Sequence, residues 1–150
     1  MTSAAHRDTY TQHQFGIEIG GVVNAVFDEI SGLGAKMEVF EVKEGGLNGY
    51  VHKLPGRVSH GNITLKWGSA YTTALYEWYA NVVSKADKTS EMKNISIIQL
   101  DHRREEIRRW NLTRAFPVDW KGPAFNAAQS AIAVESVEIA YSNLSMVKRG

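Results

Sequence analysis

The strongest constraint on this chain is a two-residue period. Short apolar/polar alternations recur from Phe15 to Tyr141, and only one segment has helical spacing. Phe15, Ile17 and Ile19 alternate with Gly16 and Glu18, and Ile63, Leu65 and Trp67 alternate with Thr64 and Lys66. Successive strand side chains point to opposite faces, so such stretches read as half-buried strands. Gly20-Gly21 supplies a turn. Residues 22–30 continue as a strand, with Val23, Ala25 and Phe27 on one side and Asn24 and Asp28 on the other. Beyond Ser31-Gly32-Leu33-Gly34, residues 37–42 form an expected antiparallel neighbour. Strands over 95–100 and 107–116 make a hairpin with a charged tip at 102–106. Phe116-Pro117 is expected to end the second of these, 118–125 to be a connection, and 131–141 to be a last long strand. The run 103–110 also suits a short charged helix. Against that, Trp110, Leu112 and Phe116 share one parity while Arg109, Asn111 and Thr113 share the other, which favours the hairpin. The exception to period two is Leu75, Tyr76, Trp78, Tyr79, Val82 and Val83, spaced for one helix capped by Thr72 or Thr73. The expectation is a mainly β chain of about seven strands and one helix.

Three segments interrupt the pattern. Residues 1–14 are a polar N-terminal arm. The glycine-rich stretch 43–61 contains an extended loop over 44–57, longer than the roughly 2–5 residues of a hairpin connection, with Tyr50, Val51 and Leu54 available to bury against a partner. Residues 145–150 are a polar C-terminal tail, which leaves 15–144 as the domain proper. At 150 residues such a domain buries roughly 68–70% of its unfolded surface and needs no staples.

Composition excludes several classes of function. The absence of cysteine removes disulfides, thiolate catalysis, cysteine zinc sites and iron–sulfur ligation. A formal charge of +1 provides no overall field to hold nucleic acid or an anionic membrane. The opening MTSAAHRDTYTQHQ has no apolar core, and no run approaches the roughly 18 apolar residues of a membrane span. Synthesis and folding in soluble form without a signal peptide, and no stable membrane insertion of the monomer, are expected. The N-x-Ser/Thr matches at Asn62, Asn94, Asn111 and Asn143 therefore carry no weight.

Catalytic constellations are not legible. The histidines His6, His13, His52, His60 and His102 are scattered, and only His52 and His60 are close enough in sequence to consider for metal. The carboxylate pairs Asp28/Glu29, Glu105/Glu106 and Glu135/Glu138 fall on opposite strand parities and do not suit a shared proton. No nucleophile elbow or phosphate-binding glycine loop occurs. Arg103, Arg104, Arg108 and Arg109, beside Trp110, could meet phosphates, but Asp101, Glu105 and Glu106 sit within the cluster, so a solvated or subunit-facing surface is the simpler reading. The expectation is no enzyme, no cofactor and no metal. What remains is assembly: a polar arm, a long loop with embedded apolar residues and several strand edges, which neighbouring copies could cover. The alternative is a monomeric β-barrel ligand-binding module.

A resemblance sharpens this expectation. Phe15-Gly16-Ile17-Glu18-Ile19-Gly20-Gly21, Phe27-Asp28-Glu29-Ile30-Ser31-Gly32-Leu33, Lys53-Leu54-Pro55-Gly56-Arg57 and Ile63-Thr64-Leu65-Lys66-Trp67-Gly68 resemble the tail tube proteins of contractile phages and phage-derived injection systems. So do Ala115-Phe116-Pro117-Val118-Asp119-Trp120, Gly122-Pro123 and Ala133-Val134-Glu135-Ser136-Val137-Glu138-Ile139-Ala140. The resemblance runs in order over 15–144. It implies two packed antiparallel sheets, barrel- or sandwich-like, with one flanking helix. It also implies homo-hexameric rings stacked on themselves inside a contractile sheath, with baseplate, spike and tail-terminator components as partners and DNA or effector protein as cargo in the lumen. Carried over by position, the ring-stacking loop would hold Glu44, Asn48, Tyr50, His52, Lys53, Leu54 and Arg57. The strands at 22–30, 36–43, 95–101 and 107–114 would line the bore with Asn24, Asp28, Glu38, Arg109, Asn111 and Thr113.

Overall fold

The computed structural model describes residues 14–43, 49, 51–68, 73–122 and 134–147. Ten strands, one α-helix and one 3₁₀ turn occur among them. In chain order they are β1 (Gln14–Ile19), β2 (Val22–Phe27), β3 (Glu29–Ser31), β4 (Lys36–Val42), β5 (His52–Ser59), β6 (Ile63–Gly68), α1 (Ala74–Ser84), the turn Lys88–Glu91, β7 (Lys93–Leu100), β8 (Glu106–Lys121), β9 (Val134–Ala140) and β10 (Asn143–Val147). The period-two reading of a mainly β fold holds. Two antiparallel sheets, β2-β1-β7-β8-β10 and β8-β9-β6-β3, pack around the core with α1 alongside, and β4-β5 forms a separate two-stranded ribbon.

β8 belongs to both sheets. Its first part pairs with β7 and its last residues with β9, and the change of partner follows a bulge where Arg114 takes φ 53°. A bulge bends a strand and takes backbone groups out of the ladder, and these need other partners. The Arg114 N–H donates to Asn94 Oδ1 at 3.1 Å, and the Thr113 carbonyl accepts from the Ser142 N–H at 2.9 Å. Pro117 therefore does not end the strand as expected. It sits at a register shift, where the missing N–H of proline is tolerated.

Three further expectations are corrected. The strand read over 22–30 is broken at Asp28: β2 pairs with β1 and β3 with β6, and the Asp28 N–H bonds the Lys66 carbonyl at 2.9 Å at the crossing. The stretch 37–42 is no neighbour of those strands. It pairs with β5, which occupies 52–59 within the stretch read as loop. The polar stretch after Ser142 adds β10 to the edge of β8, because Leu144 turns inward opposite Leu112.

Between the sheets lie Ile17, Phe27, Ile63, Leu65, Ile95, Ile97, Leu112, Val137 and Ile139, all buried, and α1 adds Leu75, Trp78 and Val82. The helical face is narrower than the sequence suggested, since Tyr76 and Val83 are exposed. Thr73 is the N-cap, but its hydroxyl bonds Glu77 Oε1 rather than the helix backbone. At the far end Lys88 Nζ donates to the Val82 and Val83 carbonyls, each at 3.0 Å, supplying orphan acceptors of the last turn. Trp78 Nε1 donates to the Glu91 carbonyl at 2.9 Å, and the buried Glu91 carboxylate pairs with Lys85, which holds it below the usual carboxylate range.

Gly32 is the most constrained backbone position. It takes φ 86°, and a Cβ there would run into the Asn62 carbonyl. Gly32→Ala should lower unfolding free energy by about 2 kcal/mol or more, read by urea denaturation, since left-handed strain and a backbone clash act together.

Candidate functional site

Two surfaces stand out, one internally satisfied and one not. The first is the face of β1, β7 and β8 turned away from the core. Arg109 and Asn111 lie there with half-buried Thr113, as the alternation predicts. Arg109 donates through Nη1 and Nη2 to both carboxylate oxygens of Glu18, at 3.0 and 3.1 Å, and through Nε and Nη2 to Glu106 at 2.8 and 2.9 Å. Because β7 lies between β1 and β8, the arginine must cross it. Ile98, directly opposite Arg109 in register, is buried although it points away from the core. The two carboxylates hold the guanidinium pKa well above its ordinary value. Next along, Ser96 donates to Asn111 Oδ1 at 2.7 Å. Glu18 and Ser96 were not singled out from sequence, and Glu106 was weighed only as part of a carboxylate pair in the charged tip. Glu18 has the polar parity of β1, but its pairing with Ser96 is set by the topology and has no local sequence signal.

Of the other residues expected to line the bore, two are placed away from this face. Glu38 is exposed on β4, and Asp28 is at the crossing between sheets. Asn24 is in β2, with its side chain outside the described residues.

The second surface is the β4-β5 hairpin. Of the seven residues read as a stacking loop, His52, Lys53, Leu54 and Arg57 are on β5, while Glu44, Asn48 and Tyr50 lie outside the described residues. Every residue of β4 is exposed. Cross-strand partners share a face, so Met37 and Val58 lie with Val39 and Pro55 on one side, and Phe40 and Leu54 lie with Val42 on the other. Val39, Phe40 and Leu54 are 58%, 55% and 50% exposed. The Phe40 ring covers Gly56, where a Cβ would meet it at 2.5 Å. Sequence reasoning marked the loop and did not single out the exposed apolar residues of β4. Its mark is a run that is apolar at both parities, the pattern of a strand destined for burial on both faces.

The remaining candidates do not converge. His52 and His60 are eight residues apart on extended chain, roughly 25 Å, too far to share a metal. Among the described residues no three His, Asp or Glu side chains are grouped to hold a metal ion, and no helix is long and apolar enough to cross a membrane. His6 and His13 lie outside the described residues. The arginine cluster is divided: Arg103 and Arg104 are exposed at the β7-β8 tip, Arg108 lies 5.7 Å from the Trp110 ring centre, and Arg109 is committed to its two carboxylates. Glu138 accepts from Asn62 Nδ2 at 3.1 Å rather than from a second carboxyl. Asp101 organises the tip, accepting from the Glu105 and Arg103 N–H groups at 2.9 and 2.8 Å, and these bonds lower its pKa below the ordinary 3.8.

Comparison with known proteins agrees with this architecture. A family model described as T4-like virus tail tube protein gp19 matches residues 11–145. Among solved structures, a chain of the PVC sheath-tube complex, an extracellular contractile injection system in its extended state, is 26% identical with a TM-score of 0.76 and 98% of each chain covered. A chain from the terminating cap of the anti-feeding prophage tube is 27% identical with a TM-score of 0.74, over 90% of this chain and 88% of that one. Hcp1 from Flavobacterium johnsoniae shares the fold at 17% identity and a TM-score of 0.52, over 89% and 94% of the two chains. No curated protein matches the chain.

The staple and the tip can each be tested. Arg109→Met leaves Glu18 and Glu106 without their cation and should cost about 1–2 kcal/mol in urea denaturation, less in high salt, because the group is partly solvated. A lowered pKa for Asp101 means its contribution is complete above 3.8 and is lost as pH falls through the folded value. Hydrogen exchange at Arg103 and Glu105 should therefore lose protection below that pH, after correction for intrinsic rates, and Asp101→Asn should remove the dependence.

Proposed function

The chain belongs to the T4-like virus tail tube protein gp19 family, and we propose that its copies close into hexameric rings that stack into the hollow inner tube of a contractile injection particle. The observation that carries the ring and stack is the β4-β5 hairpin, which exposes large apolar side chains on both faces among charged ones. A two-stranded ribbon is marginal alone in water and needs packing against something else. A second copy of the chain supplies it. The free edges of the first sheet support the same reading, since β2 and β10 each pair on one side only among the described residues.

In this reading the hairpin bears the stacking contacts, with Met37, Val39, Phe40 and Val42 joining His52, Lys53, Leu54 and Arg57, and with Glu44, Asn48 and Tyr50 at the connection. The polar face with Glu18, Arg109, Asn111 and Thr113 lines the bore. A guanidinium paired with two carboxylates leaves passing DNA or effector protein no uncompensated cation to bind at that point. The particle partners are a contractile sheath outside, a baseplate and spike at one end and a terminator at the other. The PVC sheath-tube and sheath/tube-terminator structures and the anti-feeding prophage baseplate support those assignments. The subunit is made in the bacterial cytoplasm and ends in the particle, where its role is mechanical: stiffness and a channel, with sheath contraction as the driving force. Nothing favours the monomeric ligand-binding barrel, whose interior position is occupied here by packed aliphatic and aromatic side chains.

Electron microscopy of the purified protein, alone and with baseplate components, should show rings and tubes of even bore. Phe40→Ser with Leu54→Ser should leave a folded barrel by circular dichroism while tubes disappear. A parent chain that stays monomeric at high concentration under both conditions overturns the assembly.

A further inference from the structure

We propose that Tyr141, with His60, is a positioning residue that sets the angle at which the β4-β5 hairpin leaves the barrel; this rests on the reading of the hairpin as the surface that meets other copies. β4 and β5 pack chiefly on one another, so the ribbon's direction is decided where its two legs, 32–35 and 60–62, join the body. Leu33 packs on the core and Asn62 Nδ2 donates to Glu138 Oε1 at 3.1 Å, and three further contacts fasten those legs. Gly32 lies against the Asn62 carbonyl, which ties one leg to the other. The Tyr141 hydroxyl donates to the Gly34 carbonyl at 3.2 Å, which ties the first leg to the barrel. The His60 ring packs on the Tyr141 ring, centroids 5.4 Å apart and planes at 42°, which ties the second leg to the same side chain.

Tyr141 suits this role because its own position is fixed. It is 8% exposed and follows β9 where the chain turns into β10. The next residue anchors that corner, since the Ser142 N–H bonds the Thr113 carbonyl of β8 at 2.9 Å. One buried side chain therefore connects the strand shared by both sheets to both legs of the hairpin. Burial pushes the phenol pKa up, so the hydroxyl remains a donor to Gly34. The His60 Nδ1 is buried without a hydrogen-bond partner, so its ring is held by packing, and an apolar ring should replace it.

The chain has no cysteine, so labels can be placed without background. Spin labels at Lys53→Cys on β5 and Lys121→Cys at the end of β8 report the hairpin's direction as a distance distribution. The parent pair should give one narrow distribution. Tyr141→Phe, which removes only the hydroxyl, should raise the population of displaced orientations about fivefold, the effect of losing one ordinary hydrogen bond. His60→Ala should broaden the distribution as well, while His60→Phe should keep it narrow. A merely structural role would lower the barrel's melting temperature without this pattern. Unchanged distributions in both Tyr141→Phe and His60→Ala overturn the proposal. The stacking reading fails separately: Phe40→Ser with Leu54→Ser should keep the narrow distribution and lose tubes, and tubes that persist in it remove the hairpin's assigned role without touching the latch.

Discussion

The structure depends on one strand being hydrogen-bonded into two sheets. β8 crosses from β7 to β9 through the bulge at Arg114, and the crossing is possible because Asn94 and Ser142 take up the backbone groups the bulge releases. The relative placement of the sheets is thus set by continuous backbone and not only by side chains meeting across a core. Much of the remaining structure is attached to this strand. α1 packs on it, β10 pairs along it, Arg109 reaches from it across β7, and the corner that carries Tyr141 is bonded to its bulge.

The two candidate surfaces satisfy their chemistry in opposite ways. On the polar face, the donors of Arg109 are met by Glu18 and Glu106, and Asn111 is met by Ser96, all within one chain. On the hairpin, large apolar side chains on both sides are left half exposed, Val39, Phe40 and Leu54 among them. One surface is satisfied within the chain and the other is left open, and in the reading proposed above a second copy covers it.

Period two made the strands legible where one face is buried and the other more open, as in β1 and β6. It failed where that premise failed. β4 and β5 have apolar residues at both parities, so alternation could not mark β5 and its stretch looked like loop. The break at Asp28 leaves no trace in the pattern, because both sides of it remain extended and only the pairing partner changes. Pro117 read as a stop because proline removes a donor, but the register shift there requires none. β10 was missed because its inward residue Leu144 is flanked by polar and exposed neighbours. For the polar face, parity placed Arg109, Asn111 and Thr113 together, while the partners Glu18 and Ser96 are on other strands, and their proximity depends on topology that no local pattern encodes.

Under the proposed assembly, a ribbon with large apolar side chains exposed on both faces has a kinetic consequence. When two free copies meet, at most one side of each ribbon is covered, and the other stays in water. A copy arriving at a surface already formed by several neighbours can have both sides covered in one step. The first association is therefore weak and the later ones strong, which produces a threshold concentration and a lag that a preformed end abolishes. Length would then be controlled by where growth is seeded and where it is capped, rather than by the supply of subunits, and a stray surplus of free chains would stay short of polymerising for want of a starting template.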